Sequence, residues 1–186
     1  MNLRPSTIFI PLLCIFTFLV LISAGRITAN PPTVAVGDTG YYLKVYNVIN
    51  NFRSKHVSPS LKWNRTLNDI AETLALQMAR DVSEPDPEDM EGVNYFGIKG
   101  GRPSANLVVQ RWYNESASYD YTHPHYDTSC LNFTQLVWKS STGVGIGAAT
   151  VGNFSVVIAK FVPSGNLHGK FRQNVIPPRL SVPMMA

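Results

Sequence analysis

Residues 131–138 read LNFTQLVW. Asn132-Phe133-Thr134 is an acceptor sequence for N-glycosylation, a mark of accessible surface. Phe133, Leu136, Val137 and Trp138 nevertheless form an apolar group that belongs against a core. The stretch therefore predicts a brief helix over 132–139, its start at solvent and its remainder buried. Beyond it, 144–150 and 154–161 are apolar runs flanking Val151-Gly152-Asn153, the signature of an antiparallel hairpin. Gly143-Val144-Gly145-Ile146-Gly147 leads into a strand and lacks a following Lys-Ser/Thr, which excludes a phosphate loop. Its glycines permit another backbone to come close.

Toward the N-terminus the helical period takes over. Ser104 is placed to cap a helix running to about Ser118, and Val93–Ile98 reads as a short strand. Asn64 or Thr66 caps a helix through about Arg80, with Leu67, Ile70, Leu74, Ala75 and Met78 on one face. Tyr42, Val45, Tyr46, Ile49 and Phe52 give residues 41–55 the same spacing. From Pro163 the chain reads as irregular. Mixed helices and strands with a hairpin predict an α+β domain in which helices cover a small, mainly antiparallel sheet.

The chain has 186 residues, 45% hydrophobic and 15% charged, which suits one globular domain. Arg4, an uncharged apolar run and Ser23-Ala24-Gly25 make residues 1–25 a secretory signal peptide; the alternative is a retained membrane anchor. Residues 26–40 read as a Pro- and Gly-containing linker, 41–178 as the domain and 179–186 as a flexible tail. The formal charge is +4, or +3 without Arg4, and no Lys/Arg run occurs, so nucleic-acid binding is not indicated. Cys14 lies in the leader, which leaves Cys130 without an internal partner. It is either a buried, inert thiol or a link to another chain. Acceptor sequences at Asn64, Asn114, Asn132 and Asn153 point to a secreted, extracellular glycoprotein.

Several segments recur together: NNFRSKH with SLKWN, RWYNESASYDY, NFTQLVWKSS, VGIGAA, VVIAKFVPSGN and FRQNVIPP. In this order and spacing they resemble the CAP superfamily of cysteine-rich secretory, antigen 5 and pathogenesis-related proteins. The resemblance is strongest to its disulfide-free, Golgi-associated branch and covers Tyr41–Pro178. It implies a three-layer α-β-α sandwich. It also implies a cavity lined by two histidines and two glutamates, which in many members binds zinc. Of that tetrad Glu115 alone is matched. One histidine falls on Asn132, one glutamate on Val93, and the other histidine has no counterpart between His56 and His123. One carboxylate does not hold zinc, so no metal, cofactor or catalytic residue is expected.

The expected role is binding. Glu115, Asn132 and the loop tyrosines Tyr119, Tyr121 and Tyr126 are the candidate binding residues; a sterol, a fatty acid, an extracellular protein or a membrane surface is the candidate partner. Asn132 either carries a glycan over the old cavity mouth or hydrogen-bonds near Glu115, and the second reading is favoured. The competing reading is a hydrolase, metal-dependent or using Glu115 with His123 or His125 as an acid/base pair. His123, His125 and Asp127 on one face of an extended loop would be a displaced metal site, although no fourth ligand is identifiable. The acidic stretch Glu84, Asp86, Glu88, Asp89 and Glu91 reads as a solvated loop rather than a calcium site.

Overall fold

The computed structural model describes residues 33–81 and 90–179. The leader 1–25, most of the acidic stretch and the tail from 180 lie outside the described residues, as does the first part of the 26–40 segment.

β1 (Val34–Val36) is followed by α1 (Thr39–Lys55), β2 (Lys62–Trp63), α2 (Arg65–Asp81) and β3 (Val93–Lys99). Then come α3 (Ala105–Asn114), a 3-10 turn at Glu115–Ser118, α4 (Leu131–Leu136), β4 (Gly143–Val151), β5 (Phe154–Val162) and α5 (Phe171–Asn174). The sheet order is β1-β4-β5-β3, with antiparallel pairing throughout this path. β2 adds a short parallel pairing to β4 at Gly143 and Val144. Gly152, at φ +59°, closes the β4–β5 turn in a conformation that a Cβ disfavours.

Helix boundaries follow local chemistry. Asp38 accepts from the Tyr41 amide and caps α1. Asn64, one of the two residues expected to do so, accepts from the Leu67 amide and caps α2. Ser104 caps α3 through the Leu107 amide. One sheet face carries α2, whose Ala71, Leu74, Ala75 and Met78 meet Ala149, Val156 and Ile158. The other carries α1, α3 and α4, with Val45, Ile49, Val108, Trp112 and Phe133 packed over Val144, Ile146, Val157 and Ala159. This is the α-β-α sandwich expected from the sequence.

Four expectations are corrected. Part of the expected linker is structured: β1 pairs with β4, and α1 begins at Thr39. α3 stops at Asn114 and tightens into the 3-10 turn, so Glu115 lies just past its end. Ile70 is 48% exposed rather than on the inner face of α2. The inner face instead holds Asn68 and Ala71, because small residues let α2 approach β4. The tail is not wholly irregular, since α5 buries Phe171 and Asn174.

Candidate functional site

Glu115 and Asn132 meet where α3 ends and α4 begins. Asn132 Nδ2 donates to Glu115 Oε1 at 2.7 Å, and the Phe133 amide donates to Glu115 Oε2 at 3.1 Å. Glu115 thus supplies a carboxylate to the open end of α4, which has no side-chain cap from its own preceding residue. Both of its oxygens are engaged within the protein. The Asn132 carbonyl in turn accepts from the buried Asn94 Nδ2 at 2.7 Å. Asn94 Oδ1 has no partner among the described residues. Val93 packs in the α2-side cluster with Ile158.

The other candidate residues are not brought to this junction. His123 is exposed and donates to Asp120 Oδ2 at 3.0 Å. His125 donates to the His123 carbonyl at 2.7 Å. The Asp127 carboxylate accepts from the Ser129 amide. The displaced metal site is therefore not assembled, and no group of three or more His, Cys, Asp or Glu side chains among the described residues has metal-holding geometry. Of the acidic stretch only Glu91 is described, and it accepts from Ser164 Oγ.

The tyrosines do not form one presented surface. Tyr119 is 7% exposed, with its ring edge-on to Tyr121 at 4.9 Å and to Phe133 at 5.7 Å. Burial, more than the neighbouring Cys130 and Asp120, pushes its hydroxyl up to about 12. Tyr121 is half-buried against the same cluster. Tyr126 points elsewhere, is exposed, and stacks on His168 at 4.7 Å. Cys130 is buried, and burial, followed by the charges of Asp127 and Glu115, raises its thiol to about 11. At 1% exposure the Cys130 side chain presents almost no surface to solvent.

The family profile described as "Cysteine-rich secretory protein family", CAP, matches residues 46–162. The chain belongs to the CAP family. Among its relatives is the Golgi-associated plant pathogenesis-related protein 1 of Homo sapiens, 29% identical over 145 residues, 75% of this chain and 94% of that protein. Protein PRY2 of Saccharomyces cerevisiae is 34% identical over 128 residues, 63% of this chain but 35% of that protein. The solved venom allergen-like protein 4 of Schistosoma mansoni shares the CAP fold at a TM-score of 0.55 and 21% identity, over 69% of this chain and 91% of that chain.

This chain also carries a buried histidine that its sequence does not single out. His56 is fully buried at the end of α1. Its Nδ1 lies 2.6 Å from the Ile176 carbonyl, which only accepts, so Nδ1 carries the proton. Nε2 then accepts from the Tyr113 hydroxyl at 3.0 Å. Burial pushes the imidazole below its ordinary value; the Ile176 bond opposes this shift and Lys55 adds to it. The folded pKa is therefore below the unfolded one. The neutral ring's contribution is complete above about pH 6.5 and is lost as pH falls from there through the folded pKa. Denaturant titrations at descending pH should show wild-type stability falling by up to ~1.4 kcal/mol per unit below about pH 6.5. His56→Gln should lack that slope; an unchanged slope in the variant would remove His56 as its source.

Proposed function

We propose that this CAP chain is a secreted glycoprotein that acts by binding rather than catalysis. The ligand classes are a sterol, a fatty acid or an extracellular protein surface. The observation that carries this reading is the occupation of both Glu115 oxygens by the start of α4. A hydrolase would need that carboxylate aimed at substrate, with a histidine within reach. Instead Glu115 acts as a cap, and His123 is held by Asp120.

An open groove of about 460 Å³ along the flank of α2 supports an apolar ligand. Exposed Ile70 and the edge of Leu74 line it together with Asp69 and with Lys160, whose ammonium also donates to the Glu91 carbonyl. Asn114 and Asn153 are exposed acceptors, whereas the Asn132 amide is engaged and Thr134 is fully buried.

Protein recovered from the medium of secreting cells tests the reading in one preparation. It should lack residues 1–25, carry glycans at Asn114 or Asn153 and leave Asn132 bare. After dialysis against zinc it should retain no stoichiometric metal. Labelled palmitate or cholesterol should bind saturably, and Ile70→Asp should weaken that binding about tenfold while Tyr126→Ala leaves it unchanged. Loss with Tyr126→Ala alone would move the ligand to the tyrosine loop. Absence of both lipids would leave the protein ligand, and tight one-to-one zinc would overturn the non-catalytic reading.

A further inference from the structure

A second depression, of about 430 Å³, lies between the starts of α1 and α2. It is lined by Tyr42, Trp63, Arg65, Asn68, Asp69 and Glu72, and shares no residue with the Glu115–Asn132 junction. Asn68 is only 8% exposed. Its Oδ1 accepts from the Ile146 amide at 2.8 Å, which fixes the amide plane and distinguishes oxygen from nitrogen. Nδ2 is left with no hydrogen-bond partner among the described residues, on a side chain that lines the crevice. Trp63 is held edge-on by Tyr46 at 5.5 Å, and its indole N–H likewise has no protein acceptor among the described residues. Arg65 makes no ion pair among them.

The lining thus combines donors (Asn68 Nδ2, Trp63 Nε1 and the Arg65 guanidinium) with the carboxylates of Asp69 and of Glu72, the latter beside the Tyr42 hydroxyl. Asp38 adds a third carboxylate, 3.5 Å from Arg102. This mixture selects among ligand classes. An organic cation would satisfy the carboxylates but face three donors it cannot use, one of them charged. An anion would meet three carboxylates. An apolar ligand would desolvate every one of these groups without replacing their water, at a cost for each. A hydroxyl both donates and accepts, so several hydroxyls on a rigid ring match alternating donors and acceptors. Trp63 is among the lining side chains, and its indole is apolar apart from the N–H.

We propose that this crevice binds a neutral, polyhydroxylated ligand of the oligosaccharide class. The crevice is distinct from the groove along the flank of α2 considered above, with which it shares Asp69 alone. The test titrates the full chain with cellobiose, maltose, laminaribiose and N,N′-diacetylchitobiose, read by tryptophan fluorescence and calorimetry. Trp112 and Trp138 are each 1% exposed, so a ligand-dependent emission change reports on Trp63. At least one sugar should bind saturably in the millimolar range or tighter. Asp69→Ala combined with Glu72→Ala should weaken it at least about tenfold, because hydrogen bonds to charged groups are worth more than neutral ones. Arg65→Met, at an exposed position, should weaken it similarly without moving the melting temperature. Absence of saturable binding for all four sugars would overturn the proposal, as would binding unaffected by these variants. Spermidine binding in place of sugar binding would also overturn it and identify an amine cleft.

Discussion

Replacing Arg53 with methionine is expected to cost the fold about 3–5 kcal/mol, seen as a melting temperature lower by roughly 10 °C or more. Arg53 is fully buried on α1, and no carboxylate pairs with it among the described residues. Its guanidinium donates instead to four carbonyls: Pro59 at 3.0 Å, Leu136 at 3.0 Å, Trp138 at 2.9 Å and Ser141 at 3.0 Å. Three of these belong to the turn that carries the chain from α4 into β4. Desolvation lowers the guanidinium to about 10, so it remains charged at neutral pH. A buried ion pair replaced whole by apolar side chains is often neutral or stabilising, because both charges leave together. Here only the donor would leave; the carbonyls would stay, and the buried ones would have no water to turn to. Arg53→Lys should recover only part of the loss, since an ammonium has three donors on one point and no planar fork. Denaturant unfolding of wild type and both variants decides the matter. A methionine variant within about 0.5 kcal/mol of wild type would show that the turn does not depend on Arg53.

The layers were legible from sequence because apolar periodicity reports on burial directly. Val45, Ile49 and Phe52 lie on the inner face of α1 as their spacing predicts, and Val151-Gly152-Asn153 marks the hairpin turn. Polar positions inside those stripes were harder to read. Asn68 falls in register with Ala71, Ala75 and Met78 on α2, yet an asparagine there reads as solvated until the Ile146 amide is known to face it. Arg53 and His56 were equally opaque, because three of the four carbonyls that Arg53 bonds lie 83 to 88 residues away and the one that His56 bonds lies 120 away, and carbonyls have no sequence signature. Ile70 was misread for the opposite reason: its side chain is apolar, but close approach to β4 leaves space on α2 for alanine and turns isoleucine outward. At the candidate site, the proximity of Asn132 to Glu115 followed from matching the family's segments. The use of Glu115 as a helix cap did not, because it depends on α3 ending at Asn114.

That close approach gives the other large effect. Gly147→Val should destabilise the chain by about 3 kcal/mol or more, toward the upper end of what overpacking costs. A Cβ on Gly147 would lie 2.2 Å from the Ala71 carbonyl carbon and 2.2 Å from the Glu72 amide nitrogen. Gly145 is equally tight, with a Cβ 2.1 Å from the Leu67 carbonyl carbon. These neighbours are helix backbone, which cannot rotate aside as a side chain does, so α2 would have to lift from the sheet. Lifting it would strain the Asn68–Ile146 bond and loosen Ala71, Leu74 and Ala75 from Ala149 and Ile158. The loss is then shared along the interface instead of being confined to one site. Gly101→Ala provides the contrast, since its added Cβ meets nothing within 4 Å. That change should lie within about 0.5 kcal/mol of wild type or stabilise slightly, through the lower entropy of the unfolded chain. Equal stability of the Gly147 and Gly101 variants would mean that α2 tolerates a wider gap over β4. In that case the glycines would not explain the depth at which the helix sits, and with it the shape of the crevice at the helix's start.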